Sequence, residues 1–207
     1  MQDIHLFGIT GKKASGKSTV AKIFRQNNIP VVDVDCLYKD MFKPGNNVHR
    51  EIIKCFGYDL LTENGNIDLH KLSLVVCREY WIKQTIDDLI EEEVEGFINK
   101  LIETFIFHGI DIAGIESGIL CNTKMINYVS SVVFIDAPSE ARMERMRATM
   151  PEGAISKIIK MEIDDVPAKD DFTIMNDGMD LEKKTIDIIK ELLFFFRRKS
   201  SSSPPII

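Results

Sequence analysis

Apolar and polar positions change period several times along the chain, and the changes divide it into strands and helices. Asp3-Ile4-His5-Leu6-Phe7-Gly8-Ile9-Thr10 is a short, mainly apolar run that predicts a strand, and Thr19-Val20-Ala21-Lys22-Ile23-Phe24 opens a helix over Lys17 to Asn28. Ile29 to Asp35 then predicts a short buried strand with Pro30 near its start and acids at its end, which completes a β-α-β unit. Two brief helices are expected at Cys36 to Phe42 and Val48 to Phe56, ended near Pro44-Gly45 and at Gly57, before a turn at Glu63-Asn64-Gly65-Asn66. From Asp68 two further helices follow. The second runs from Arg78 to Phe107, with Leu89, Val94, Phe97, Leu101 and Phe105 at helical spacing as core residues.

Gly109 to Glu116 and Ser131 to Asp136 predict a third and a fourth strand. Pro138 suits the first turn of a helix continuing to Met150, where its missing N–H costs nothing. Pro151 and Gly153 break that helix, and Ala154 to Ile163 resumes it. A charged loop at 164–171, a strand at Phe172 to Met175 and a helix from Met179 to Phe196 close the pattern. Strands alternating with helices imply an α/β fold around a five-stranded parallel sheet. Residues 198–207, rich in serine and proline, are expected to be a disordered tail.

Composition narrows the classes of partner. The 207 residues, 44% of them hydrophobic, support one substantial folding unit with insertions. Net charge is -6, from 32 acidic and 26 basic residues, and no basic run precedes Arg197-Arg198-Lys199, which argues against nucleic acid. Cys36, Cys55, Cys77 and Cys121 lack metal-ligand spacing, as expected of reduced thiols in a cytoplasmic protein. No apolar run reaches the roughly 18 residues of a membrane span. Asp3 and His5 within the first apolar segment argue against a secretory signal.

The candidate chemistry lies between the first strand and the first helix. Gly11-Lys12-Lys13-Ala14-Ser15-Gly16-Lys17-Ser18 fits G-x-x-x-x-G-K-[ST], a loop whose backbone N–H groups converge on a phosphate. Gly11 and Gly16 permit the tight backbone, Lys17 reaches the β and γ phosphates, and Ser18 offers its hydroxyl to Mg²⁺. Thr19 continues into a helix whose N-terminus faces the same anion. The alternative, a glycine-rich turn that binds nothing, lacks this strand-loop-helix context. Asp33 and Asp35 close the second strand, at the end of a parallel sheet where ligands collect. Asp33, which ends a strand beside the phosphate loop, is the candidate base; the competing reading is that one acid of the pair simply caps the next helix, a role that suits Asp35 better.

Beyond that loop, the order of motifs resembles dephospho-coenzyme A kinase, a family of P-loop small-molecule kinases. The landmarks are Gly8-Ile9-Thr10-Gly11, Asp33-Val34-Asp35, Pro44-Gly45, Phe56-Gly57-Tyr58-Asp59-Leu60-Leu61 and Asn64-Gly65. Ile135-Asp136-Ala137-Pro138, Arg145 and Asp171-Phe172-Thr173-Ile174-Met175-Asn176-Asp177-Gly178 follow in register. Four places depart from the family pattern. Asp68 is followed by Leu69 where the family has Asp-Arg, Asp87-Asp88 stands for His-Pro, Glu116-Ser117-Gly118-Ile119-Leu120 lacks the usual proline-containing patch, and Thr149 stands near a second lid arginine.

The resemblance implies a P-loop nucleotide-binding core of residues 1–35, 109–137 and 170–197, a helical acceptor-binding insertion at 36–108 and a short lid region at 138–169. It implies transfer of the γ-phosphoryl of ATP to the ribose 3′-hydroxyl of dephospho-coenzyme A, with Mg²⁺. Lys17 and Arg145 would neutralise charge and Asp33 would take the hydroxyl proton. Asp33, Asp35, Lys39 and Arg147 would contact the acceptor, with Arg142 as another lid arginine. Asn176 and Gly178 would meet the adenine, their alternative being an ordinary strand-to-helix turn. Glu116 is either a holder of magnesium-bound water or an edge residue. A kinase for another small acceptor, such as a nucleoside monophosphate, and a non-catalytic P-loop protein are the competing readings.

Overall fold

The structure is a computed structural model and describes residues 4–76, 80–161 and 171–201. In chain order the elements are β1 (His5–Thr10), α1 (Lys17–Gln26), β2 (Val31–Asp33), α2 (Asp35–Met41), α3 (Asn47–Phe56), α4 (Leu69–Val76) and α5 (Tyr80–Phe107). They continue with β3 (Ile112–Glu116), β4 (Ser131–Asp136), α6 (Ser139–Arg147), α7 (Glu152–Met161), β5 (Phe172–Met175) and α8 (Leu181–Ser201). The chain divides into two units, one of Met1–Val32 with His108–Ile207 and one of Asp33–Phe107.

The first unit is built on the expected five-stranded sheet, in the order β2-β3-β1-β4-β5. β1 pairs in parallel with β3 on one side and β4 on the other, and β4 pairs in parallel with β5. β1 and β4 are buried over nearly their whole length, which explains why their sequences read as apolar runs rather than as alternation. Phe7, Ile9, Val133, Ile135 and Ile174 form a core with Val20 and Phe24 of α1 and Leu192 and Phe196 of α8. Phe196 also stacks on His5 with ring centroids 4.5 Å apart, so that histidine serves packing. The α1 connection leads from β1 towards β2, whereas β3 leads the other way to β4. The connections that leave adjacent β1 and β3 therefore diverge at the carboxyl ends of these strands, the place where ligands bind in open parallel sheets.

In the second unit His49 is buried and donates Nε2–H to the Gly65 carbonyl at 2.8 Å, tying α3 to the turn at 62–65. Asp68 opens α4 by accepting the N–H groups of His70 and Lys71 at 3.0 and 3.1 Å. The Lys71 N–H, aided by that of His70, holds the Asp68 carboxyl below its ordinary value. Along α5 the buried stripe is Ile82, Ile86, Val94, Ile98 and Phe105, while Leu89, Phe97 and Leu101 are half-buried. The expected stripe thus holds at two positions and is displaced around the helix elsewhere.

Two boundaries correct the sequence expectation. α2 begins at Asp35, and the carboxylate at its N-terminus is that of Asp33, which accepts the Asp35 N–H at 2.9 Å; Asp35 is a helical residue and not the cap. At the other end α8 continues through Ser201 and carries the Arg198 guanidinium 5.6 Å from the centre of the Phe194 ring, so a disordered tail does not begin at 198. Arg78 and the charged loop at 164–170 lie outside the described residues.

Candidate active site

β1 runs directly into the phosphate-loop motif. Gly11 has φ +147, and a Cβ there would lie 2.3 Å from the Ile135 carbonyl oxygen of β4; the loop has to leave the sheet without a side chain at this point. Gly16 stands at the N-cap of α1 with φ 107. Lys17, the first residue of that helix, folds back over the loop and donates from Nζ to the carbonyls of Gly11 at 2.8 Å and Lys12 at 3.2 Å. Ser15 Oγ is fully buried inside the loop with no hydrogen-bond partner in the protein. A phosphate oxygen would satisfy such a hydroxyl, and the loop therefore fits the phosphates of ATP.

Ser18 follows Lys17, and its Oγ donates to Glu116 Oε1 at 2.6 Å. Sheet register explains the contact: Glu116 ends β3 opposite Ile9 of β1, two residues before the loop begins. Glu116 is 4% exposed, so a buried carboxylate and a hydroxyl converge at the start of α1. Hard oxygen donors of this kind fit Mg²⁺, which keeps several waters and takes one or two protein ligands beside substrate phosphates. No group of three His, Cys, Asp or Glu side chains suited to a metal occurs among the described residues.

Three more side chains reach the loop from behind. Arg142 of α6 donates from Nε to the Lys13 carbonyl at 2.9 Å. Arg145, one turn further along, donates to the carbonyls of Ala14 at 3.0 Å and Ser15 at 3.4 Å. Asn176, just past β5, donates from Nδ2 to the Ser15 carbonyl at 2.6 Å and accepts from Arg145 on Oδ1 at 3.3 Å. Gly178 has φ 92, and its N–H points to Asn176 Oδ1 at 3.4 Å, closing the turn. Asp177 in the same turn pairs with Lys184 at 2.7 Å, and that hydrogen bond is the main reason its carboxyl lies below the ordinary value.

The remaining predicted residues are placed as follows. Asp33 is the last residue of β2; besides the Asp35 N–H, its carboxylate accepts the Cys36 thiol at 3.6 Å. Lys39 lies on α2, and its side chain is outside the described residues. Arg147 forms a two-point exposed pair with Glu152 at 3.1 and 3.2 Å across the α6–α7 junction, which raises the arginine pKa and lowers that of the carboxyl. The motif alone identified Lys17 and Ser18. It did not identify Arg142 and Asn176 as partners of the loop's carbonyls, because nothing in the spacing of either residue points to a backbone oxygen.

The dephospho-CoA kinase family model matches residues 5–182. Dephospho-CoA kinase of Bacillus cereus is 28% identical over 184 residues, covering 87% of this chain and 92% of that protein. The Carboxydothermus hydrogenoformans enzyme is 31% identical over 143 residues, 69% of either chain. Among solved structures, a Thermus thermophilus protein superposes with a TM-score of 0.74 at 21% identity, covering 92% of this chain and 97% of that one, which supports the fold. With the family match spanning the phosphate loop, the Glu116 strand and the Asn176 turn alike, this chain belongs to the dephospho-CoA kinase family.

Proposed function

We propose that this chain transfers the γ-phosphoryl group of ATP to the ribose 3′-hydroxyl of dephospho-CoA, giving CoA and ADP in the cytoplasm. The observation that carries the reading is the phosphate loop with its Ser18–Glu116 pair, in a chain of this family. Phosphoryl transfer needs reactants held in line and negative charge neutralised as it spreads over the transferred oxygens. Lys17 leaves the loop carbonyls for the β and γ phosphates. Arg145, held against the same loop, adds positive charge from α6. Ser18, hydrogen-bonded to Glu116, would hold Mg²⁺, which would supply further charge neutralisation.

Asp33 orients the acceptor hydroxyl and takes its proton. Its position at a strand end and the Asp35 N–H that fixes one carboxylate oxygen support this role. Asp35 and Lys39, on the helix that follows, contact the acceptor. The lid region is rooted through Arg142 and Arg145 of α6 on the loop. Arg147 meets substrate phosphate by giving up Glu152, an exposed pair that solvent already weakens. Asn176 and Gly178 border the nucleotide site.

ADP release with ATP, Mg²⁺ and dephospho-CoA tests the proposal against reactions holding nucleoside monophosphates or no acceptor. Turnover dependent on dephospho-CoA alone supports it. Turnover only with another acceptor, or none despite ATP binding, overturns it.

A further inference from the structure

Every carbonyl of the phosphate loop from Gly11 to Gly16 accepts a hydrogen bond from within the protein. Lys17 takes the first two, and the N–H groups of Thr19 and Val20 take Gly16 at 3.1 and 3.0 Å, as α1 requires. The three between them, of Lys13, Ala14 and Ser15, are held by side chains of Arg142, Arg145 and Asn176. Neither the helix nor the motif demands these three bonds.

Their effect follows from peptide geometry. A trans peptide is planar, so its N–H points opposite to the carbonyl joined to it. Anchoring the Lys13 and Ser15 carbonyls outward turns the N–H groups of Ala14 and Gly16 to the other side. Ala14 itself has φ 61, a conformation unfavourable for a residue with a side chain, and its carbonyl is the one that Arg145 holds. Arg142 and Asn176 are 4% and 5% exposed, so little bulk water competes for their donors.

We infer that Arg142 and Asn176 are positioning residues of the phosphate loop. They act from behind it on the Lys13 and Ser15 carbonyls, with Arg145 on the Ala14 carbonyl between them and on Asn176 Oδ1, and Asn176 serves phosphate binding through Ser15 and not by reading the base. The inference rests on the loop being the phosphate site of ATP. It makes the turn after β5 part of the phosphate cradle.

Calorimetric titration with tripolyphosphate in Mg²⁺ buffer tests this, because that probe has phosphates and no base. Asn176→Ala and Arg142→Met are expected to weaken tripolyphosphate and to raise the KM for ATP by the same factor, about tenfold for one buried bond to a carbonyl. Arg142→Lys, which keeps a donor, recovers most of the loss, and the preference for ATP over GTP stays as in the parent. Should Asn176→Ala fail to fold, Asn176→Asp keeps the shape and sets an acceptor against the Ser15 carbonyl. Unchanged tripolyphosphate affinity in a folded Asn176 variant overturns the inference. So does a loss confined to the ATP-over-GTP preference, which assigns Asn176 to the base. Turnover of dephospho-CoA by the parent is scored separately, so failure of the acceptor assignment leaves this comparison intact.

Discussion

Gly16 and Asn176 occupy each other's space: a Cβ on Gly16 would lie 2.3 Å from Asn176 Nδ2, the atom that donates to the Ser15 carbonyl. Gly16→Ala therefore expels the asparagine from its bond and also places alanine at φ +107, at a backbone cost of about 1–3 kcal/mol. Gly11→Ala meets the Ile135 carbonyl instead, and a strand backbone yields less readily than a side chain. The expected outcome is a separation of effects. Gly16→Ala lowers nucleotide affinity with a moderate loss of stability, whereas Gly11→Ala shows the greater drop in denaturation midpoint. Equal denaturation midpoints for the two variants would contradict this account.

The Ser18–Glu116 bond predicts a magnesium phenotype. Glu116→Gln keeps the size of the side chain and removes its charge, and Ser18→Ala removes the hydroxyl. Residues supporting a metal commonly change its affinity by about 10–100-fold. Both variants are expected to need that much more Mg²⁺ for half-maximal turnover, while ATP binding without metal stays near the parent value. An unchanged Mg²⁺ requirement in Glu116→Gln would reduce the carboxylate to a structural partner of Ser18.

What the sequence could and could not reveal divides by contact distance along the chain. The bounds of β4 and β5 are those expected from their short apolar runs, and the loop motif identified Lys17 and Ser18 because those residues are contiguous. Glu116 reaches Ser18 across 98 residues, Arg142 reaches Lys13 across 129 and Asn176 reaches Ser15 across 161; only sheet order and register bring them together. Asp35 is not the cap because capping depends on which oxygen faces the first N–H of α2, here one of Asp33, and two acids of the same type do not disclose it. The serine-rich composition after residue 197 predicts a polar tail, whereas α8 runs on to Ser201 with Arg198 over the Phe194 ring.

Asp33→Asn separates chemistry from binding. The amide keeps an oxygen for the Asp35 N–H, so α2 retains its start, but it does not take the acceptor proton. Loss of a general base lowers turnover by about 10²–10⁴-fold. The KM for ATP is expected to stay unchanged in steady-state assays. Turnover near the parent value would leave the carboxylate as the helix-starting group alone.

Acid should loosen the turn that carries Asn176 before it unfolds the sheet. Asp177 has its carboxyl lowered first by the Lys184 hydrogen bond and then by the Met179 N–H at 3.1 Å. A lowered native value means that the folded chain holds fewer protons on this group than the unfolded chain does. The stabilisation is therefore complete above the ordinary value of 3.8 and is lost as pH falls through the native value below it. Asp68, below 3.8, and Glu152, below 4.5, act with the same sign through the Lys71 N–H and the Arg147 guanidinium. Urea midpoints from about pH 6 to about pH 3 should fall for the parent, and the gap between parent and Asp177→Asn should close towards the acid end. A gap that stays constant would mean that the carboxylate's charge contributes nothing there. Lys184 also donates to the Met175 carbonyl at 3.0 Å, a bond that protonation of Asp177 leaves in place, so β5 stays tied to α8 while the Asp177 side of the turn is released.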